Sequence, residues 1–502
     1  MSELDDVPRR MPKRLWQTTW FWVAGFFATC LTVGAACCLD VPGFLSGETD
    51  IFGGYRFEAA QQQARQEMSP TERVHAELFP EWLIAEANRR DTADERFDRL
   101  RTAVTDEELS AVLDDLAAAI ASERILSPPP PMAADAGTPD ASVPAETSPL
   151  HIALLRRWND RLEELAVPFY VTGSISVTSS GPALLCEFYR KLGDPVVKVG
   201  DLEIPTVILQ RIDRTNIVEA YLGVARSGDV AVVVTDRILE LATDSIWLML
   251  NPTTAPQDDL ALAYGEAVRD EAVRGLGDVT VVELARAAVH RRKLLDAAAE
   301  VLERHSCGST MQLGFIGWDG FNPRDLHRLD LYAERDKLQP CPTITFAEID
   351  ALRDASEALR ADSTKDALQA LVAWLTRMIA LHEARHVADE LEHGRLHARE
   401  SCPGCPDRIH RSTRAELSAY VASIAWSENP ATALFQACTV RGGPHGRAVR
   451  IINRGLGRRC TDAPPADLSQ QARALQQKLF GSAAPMQLPH DFPQQLEIHR
   501  WR

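Results

Sequence analysis

The sequence predicts an α+β fold with a mixed sheet, preceded by a small helical region and an N-terminal membrane helix. Three observations lead to this prediction. β-Branched residues are concentrated in 167–178, 195–212 and 216–236, which is typical of strands. Apolar residues recur at helical spacing in 55–125 and again after the strands. Residues 15–39 carry no charge, and a helix needs only about 20 apolar residues to cross a bilayer.

The first residues of the chain predict a membrane anchor. Residues 1–14 carry four Lys or Arg side chains, whereas the first charged residues after the apolar stretch are acidic. Because positive residues stay in the cytoplasm, we expect 1–14 to form a cytoplasmic tail and 15–39 a transmembrane helix, with the rest of the chain outside. Small residues at 33–35 leave a cleaved signal peptide as the alternative, in which case the protein is secreted.

Charge and composition exclude one class of partner. The formal net charge is −17, whereas nucleic-acid binding depends on a basic surface that meets phosphates. The chain also contains no nucleic-acid-binding motif. We therefore expect no nucleic-acid partner, and the hydrophobic content of 45% indicates a globular protein that can bury a full core.

Composition also divides the remainder of the chain. Residues 55–125 are expected to be a helical region that acts as a stalk, a membrane-proximal domain or a site for a partner protein. Residues 126–148 include four consecutive prolines and cannot build a core, so they are expected to be a linker. One α+β domain is expected over 149–480, followed by a loosely held tail at 481–502.

Local signals place elements within this domain. The turn residues 226–229 predict a hairpin between two short strands. Thr280 with Glu283 and Thr345 with Glu348 both fit the capping box, in which two side chains satisfy free N–H groups at a helix start. Each pair therefore predicts the beginning of a helix.

The most informative segment is the His-Glu-Ala-Arg-His sequence at 382–386, which is an H-E-x-x-H motif. It lies late in an apolar-striped helix predicted over 363–394. Residues i and i+4 lie on one helix face, so His382 and His386 can bind one zinc ion. Glu383 is then placed beside the metal, where it can act as the general base for an activated water.

A catalytic zinc site needs a third protein ligand. Glu416, on a helix predicted over 413–426, is the favoured residue. The alternative is a capping box formed by Thr413 and Glu416, in which Glu416 would serve only its own helix. Both interpretations stay open on the sequence alone.

Four other residues are further candidates for the third ligand. Asp389 is seven residues beyond His382 and better placed to orient an imidazole. Glu392, His393 and His397 follow within the next turns, and the two histidines also suit the helix end.

The motif and Glu416 together resemble the gluzincin group of zinc metallopeptidases, over 382–416 only. The resemblance implies a zincin-like fold in which His382, His386 and Glu416 bind Zn²⁺ and Glu383 is the general base. It implies a metallopeptidase that hydrolyses a peptide or protein substrate by zinc-activated water, and the N-terminal residues predict that this enzyme is anchored in the membrane. Tyr420 stands where the family often has an acid, and no Gly-Ala-Met-Glu-Asn exopeptidase motif is present, so aminopeptidase activity is not expected.

Two alternatives remain at this point. The chain is either catalytic or a membrane-anchored binding or scaffold protein that retains a metallopeptidase-like fold. A catalytic zinc site could also act on an amide bond outside peptides.

Cysteines outside the membrane segment predict disulfides. Cys402, Cys405, Cys438 and Cys460 lie near the motif in sequence, and an oxidising compartment favours disulfide bonds. Three pairings are possible, and a second, structural zinc site is the alternative.

Overall fold

A computed structural model describes residues 69–87, 90–122, 150–178, 181–212, 223–225, 230–303, 316–336, 344–394 and 400–498. The predicted cytoplasmic tail, transmembrane helix and linker lie outside these ranges, as does His397. No helix within the ranges is long and apolar enough to cross a bilayer.

The described chain is a mostly helical α+β structure, which confirms the predicted class. Its helices are α1 (Pro70–Arg73), α2 (Phe79–Ala87), α3 (Ala93–Ala103), α4 (Glu107–Ala121), α5 (Leu150–Glu164), α6 (Thr235–Leu241), α7 (Trp247–Met249), α8 (Asp259–Leu276), α9 (Asp278–Glu303), α10 (Pro323–Asp336), α11 (Phe346–Leu359), α12 (Asp362–His393), α13 (Arg411–Trp426), α14 (Pro430–Thr439), α15 (Gly443–Gly455) and α16 (Leu468–Phe480). π-Helical turns at Val74–Leu78 and Ala242–Ile246 join α1 to α2 and α6 to α7.

The described strands form one sheet around β4. They are β1 (Phe169–Thr178), β2 (Gly181–Gly193), β3 (Val196–Val199), β4 (Leu202–Arg211), β5 (Gly223–Ala225), β6 (Ala231–Val234) and β7 (Met486–Gln487). β4 pairs antiparallel with β2 and β3 and parallel with β6, and β5 pairs antiparallel with β6. The sheet is therefore mixed, and two short strands flank the predicted turn at 226–229.

β2 was not predicted from the sequence. It carries no β-branched residue and three charged ones, so neither strand composition nor alternation marks it. It is nevertheless paired with the whole length of β1, from Phe169 opposite Arg190 to Thr178 opposite Gly181. Pairing with a neighbour, rather than intrinsic preference, forms this strand.

α12 is the central helix of the main hydrophobic core. It packs across β3, β4, β5 and β6 and also contacts α8, α9 and α13. Every residue from Leu371 to Thr376 is buried, as expected for a helix that is covered on all sides. The helix that carries the motif is thereby held from several directions.

A second core joins the described part of the predicted helical region to the hairpin β1–β2. Trp158 of α5 lies edge-on to Phe79 of α2, with ring centroids 5.1 Å apart, and Phe79 contacts Phe188 of β2. Helices on both sides of the predicted linker therefore contribute to one hydrophobic cluster. The described residues from 69 to 498 form a single compact unit.

One predicted capping box is confirmed and the other is wrong. Thr345 and Glu348 exchange the expected hydrogen bonds at the start of α11. α9 instead begins at Asp278, before the predicted box, and Glu283 accepts hydrogen bonds from Ser363 and Thr364 of α12. Glu283 therefore connects two helices, which local spacing cannot reveal.

The C-terminal tail is packed over its described residues, 481–498, so the prediction that it is loosely held is wrong there. Phe492, Leu496 and Ile498 are all buried, and β7 adds to β3 through Met486 opposite Val199. Three apolar side chains spaced along a Pro/Gln-rich segment are enough to bury it against the core.

Candidate metal centre

The motif helix has nearly the predicted bounds. α12 begins at Asp362 and ends at His393. Gly394 adopts φ 51°, and its N–H donates to Glu390 O at 2.7 Å. A positive φ is favourable for glycine and costly for other residues, so the end of the helix is set by this residue.

α13 begins at Arg411, two residues before the predicted start. His410 is the N-cap, and its side chain accepts a hydrogen bond from Ser412 N. Thr413 is consequently inside the helix, where its Oγ1 accepts a hydrogen bond from Arg447 Nε at 3.1 Å. The capping box of Thr413 and Glu416 does not form, which leaves the Glu416 carboxylate available to the neighbouring helix.

Three donor atoms converge between α12 and α13. Nε2 of His386 lies 3.2 Å from Nε2 of His382, and Oε2 of Glu416 lies 3.6 Å and 3.7 Å from these two nitrogens. Among the described residues these three side chains form one of two groups spaced closely enough to share an ion. A triangle of this size has a point about 2.0 Å from each corner, and zinc binds imidazole nitrogen and carboxylate oxygen at about 2.0–2.2 Å. The residues present therefore fit a zinc ion.

The Glu416 carboxylate is held in its charged form. Burial opposes ionisation, but close contacts with the imidazoles of His382, His386 and His445 hold the pKa of Glu416 far below its usual range. Its Oε2 atom is buried and makes no well-aligned hydrogen bond within the described structure. A charged oxygen with spare acceptor capacity is suited to a cation.

Burial and neighbouring charges also shift the pKa values of His386 and Glu383, the two motif residues beside Glu416. Burial lowers the pKa of His386, but the close contact with the Glu416 carboxylate and the charge of Glu383 outweigh this effect, so the pKa is raised. Burial raises the pKa of Glu383, and the nearby imidazoles only partly oppose this. A carboxylate with a raised pKa is better matched to proton transfer near neutral pH.

Two side chains that face the donor triangle complete the centre. The Tyr420 ring lies edge-on to His382, with centroids 4.6 Å apart, and its Oη is 3.2 Å from His445 Nδ1. His445 Nδ1 is 2.9 Å from Glu416 Oε2. Sequence reasoning missed His445, because no local spacing connects the start of α15 with the motif.

The remaining candidate ligands are engaged elsewhere. Asp389 forms ion pairs with Arg385 and, at 2.7 Å, with Arg414 Nη1, so it does not orient an imidazole as the sequence suggested. Glu392 pairs with Arg385 at 3.0 Å, and His393 lies 3.8 Å from Glu392. Asp389, Glu392 and His393 also lie close together, but two arginines already neutralise their charge.

The Asp389 ion pairs have a structural role. Arg385 belongs to α12 and Arg414 to α13, and all three side chains are buried. Arg385 Nε also donates to Ser418 Oγ of α13 at 3.1 Å. This network fixes the relative position of the two helices that supply the three donor atoms.

Cysteine pairing separates the four candidate cysteines into two disulfides. Cys402 bonds to Cys405, and Cys438 bonds to Cys460. The first pair closes the loop that precedes α13. Gly404 of that loop donates to Leu479 O at 2.9 Å, and a Cβ there would lie 2.2 Å from Lys478 O. The loop is thus fitted tightly against α16.

Comparison with known protein families, with curated proteins and with solved structures found no match. The function must therefore be inferred from the side chains at the centre and their geometry.

Proposed function

We propose that this protein is a membrane-anchored zinc-dependent peptidase. The observation that supports it most directly is the triangle formed by the Nε2 atoms of His382 and His386 and by Oε2 of Glu416. Two histidines and a glutamate form a zinc-binding set that leaves room for a fourth, reactive position.

Each side chain of the centre has a distinct role in this proposal. His382, His386 and Glu416 hold the ion, which supplies Lewis acidity and lowers the pKa of water when bound. Glu383 accepts a proton from the attacking water and delivers it to the leaving amine nitrogen. The Tyr420 hydroxyl donates a hydrogen bond to the oxygen that gains negative charge.

A peptide substrate suits the surrounding architecture. β5 is paired only with β6 among the described strands, and it packs against the motif helix. An extended peptide can add to an unpaired sheet edge through main-chain hydrogen bonds. An amide that lacks a peptide backbone could not form this series of main-chain hydrogen bonds with the strand.

The disulfides support a location outside the cytoplasm. Disulfide bonds persist in oxidising compartments and are rare in the cytosol, and two are formed by Cys402–Cys405 and Cys438–Cys460. This agrees with an N-terminal anchor over 15–39 and an exported C-terminal portion.

Substitution Glu383→Gln tests the proposal. It should leave one zinc per chain, because Glu383 is not a ligand, and reduce kcat by about 10²–10⁴-fold, the range for loss of a general base. Zinc content by elemental analysis and cleavage of a peptide library by the full-length protein are the measurements. A wild-type protein that binds zinc yet cleaves no peptide would instead support a binding or scaffold role.

A further inference from the structure

His445 is placed at the metal centre by a tight glycine-rich turn. It lies in the first turn of α15, next to Gly446, which is buried. A Cβ at Gly446 would lie 2.4 Å from Arg441 O, so only glycine allows this close approach. Arg447 then ties the same turn to α13 through Thr413. The backbone that carries His445 is therefore fixed against the helix that carries Glu416.

A hydrogen on Nδ1 of His445 would make both close contacts of this nitrogen attractive. This nitrogen is 2.9 Å from Glu416 Oε2 and 3.2 Å from Tyr420 Oη. A carboxylate oxygen is acceptor-only when ionised, and two lone pairs at 2.9 Å would repel. With the ring hydrogen on Nδ1 the carboxylate is attracted, and the hydroxyl hydrogen of Tyr420 is free to point elsewhere.

We propose that His445 positions the Glu416 carboxylate for metal binding, by holding the same oxygen that faces His382 and His386. This inference rests on the proposed metal function and extends it. A glutamate side chain has several rotatable bonds, and an N–H contact to the ligand oxygen restricts its orientation before an ion arrives. Partners of this kind typically change metal affinity about 10–100-fold.

His445 is not itself assigned as a ligand. The described side chains that lie close enough together to share an ion at this centre are His382, His386 and Glu416, and His445 is outside that group. Its side chain is also the most exposed of the four, at 35%.

Matched substitutions of His445 show whether its hydrogen-bond donor or only its volume is needed. Asn places an amide N–H close to where histidine has Nδ1, Gln places it close to Nε2, and Leu has none. We expect His445→Asn to bind zinc within about threefold of wild type, and His445→Leu and His445→Gln to bind about 10–100-fold more weakly.

Zinc affinity of the full-length protein is measured by competition with a chromophoric chelator, and the absorption spectrum of the cobalt-substituted protein reports on the ligand set. The spectrum should change in His445→Leu and His445→Gln but not in His445→Asn. Should His445→Leu fail to fold, the comparison of His445→Asn with His445→Gln still tests whether a donor at the position of Nδ1 is needed.

The outcomes separate this inference from the proposed function. A wild-type protein that binds no zinc would overturn the proposed function itself. Wild-type affinity in all three variants would overturn the role of His445 alone. Equally weakened zinc binding in His445→Asn and His445→Gln would also overturn it, because zinc affinity would then not depend on a donor at the position of Nδ1.

Discussion

Buried histidines occur in two regions of the molecule. In one region the imidazole contacts neutral groups, and in the other the imidazoles contact a carboxylate. His75, in the core shared by α2, α5 and the β1–β2 hairpin, donates from Nδ1 to Thr71 O at 2.9 Å and accepts from Trp158 Nε1 at 3.3 Å. Its ring stacks on Phe169. Both ring nitrogens are satisfied by neutral groups, and burial lowers the pKa of His75 to about 4.

The candidate metal centre surrounds largely buried imidazoles with carboxylates. Nε2 of His382 and of His386 face each other and Glu416 Oε2, and the carboxylates raise the pKa of His386 despite its burial. Burial alone therefore does not mark a binding site. What marks the site is that two imidazole nitrogens and a charged carboxylate oxygen converge on one point, whereas each ring nitrogen of His75 has its own neutral partner.

The largest effect that separates the two regions should be on zinc affinity. We expect His386→Leu to weaken zinc binding about a thousandfold or more, because one of three protein ligands is lost. His75→Gln should leave zinc affinity unchanged, since His75 has no part in the centre. Isothermal titration of both variants measures this, and comparable weakening by His75→Gln would contradict the distinction.

Ion pairs provide a second contrast between the two regions. Asp389 is buried between Arg385 and Arg414, so Asp389→Asn leaves two buried charges short of a partner. We expect a loss of about 3 kcal/mol in the free energy of unfolding. The matched control is Asp115→Asn, because Asp115 pairs with Arg157 at 3.1 Å on an exposed surface.

The control should lose less than about 1 kcal/mol, since solvent screens exposed pairs. Urea denaturation of the two variants gives both values. Equal losses would show that the network around Asp389 does not hold α12 and α13 together.

The parts of the centre that lie on one helix were predictable from sequence. The i, i+4 spacing and the terminal Gly394 place His382, Glu383 and His386 at the end of a helix, and the structure has that helix. Glu416 was chosen from a second helical pattern, and the structure brings it to both imidazoles. Its binding of metal stays a prediction.

The parts that depend on tertiary contacts were not predictable. His445 is 29 residues beyond Glu416 in the sequence, and only the packing of α15 on α13 brings them together. Asp389 has the spacing of a residue that could orient an imidazole, yet two arginines hold it instead. β2 likewise depends on its pairing with β1 rather than on its own composition.

The smallest of the expected effects concerns pH and the His75 region. The pKa of His75 is about 4 in the folded protein and about 6.5 in an unfolded chain. Between these values the unfolded state binds more protons, so stability is full above about pH 6.5 and falls as pH decreases toward 4. The full contribution of His75 to the free energy of unfolding is on the order of 3 kcal/mol, but only a fraction of it is lost when the pH falls to about 5.5.

The substitution His75→Gln isolates this contribution. Glutamine does not titrate, so the variant should be less stable than wild type at pH 7 but lose less stability between pH 7 and pH 5. The free energy of unfolding by urea, measured for both proteins at several pH values, gives the two slopes. Parallel slopes would mean that His75 is protonated within the folded core, and the contrast with the carboxylate-bound histidines of the metal centre would then be wrong.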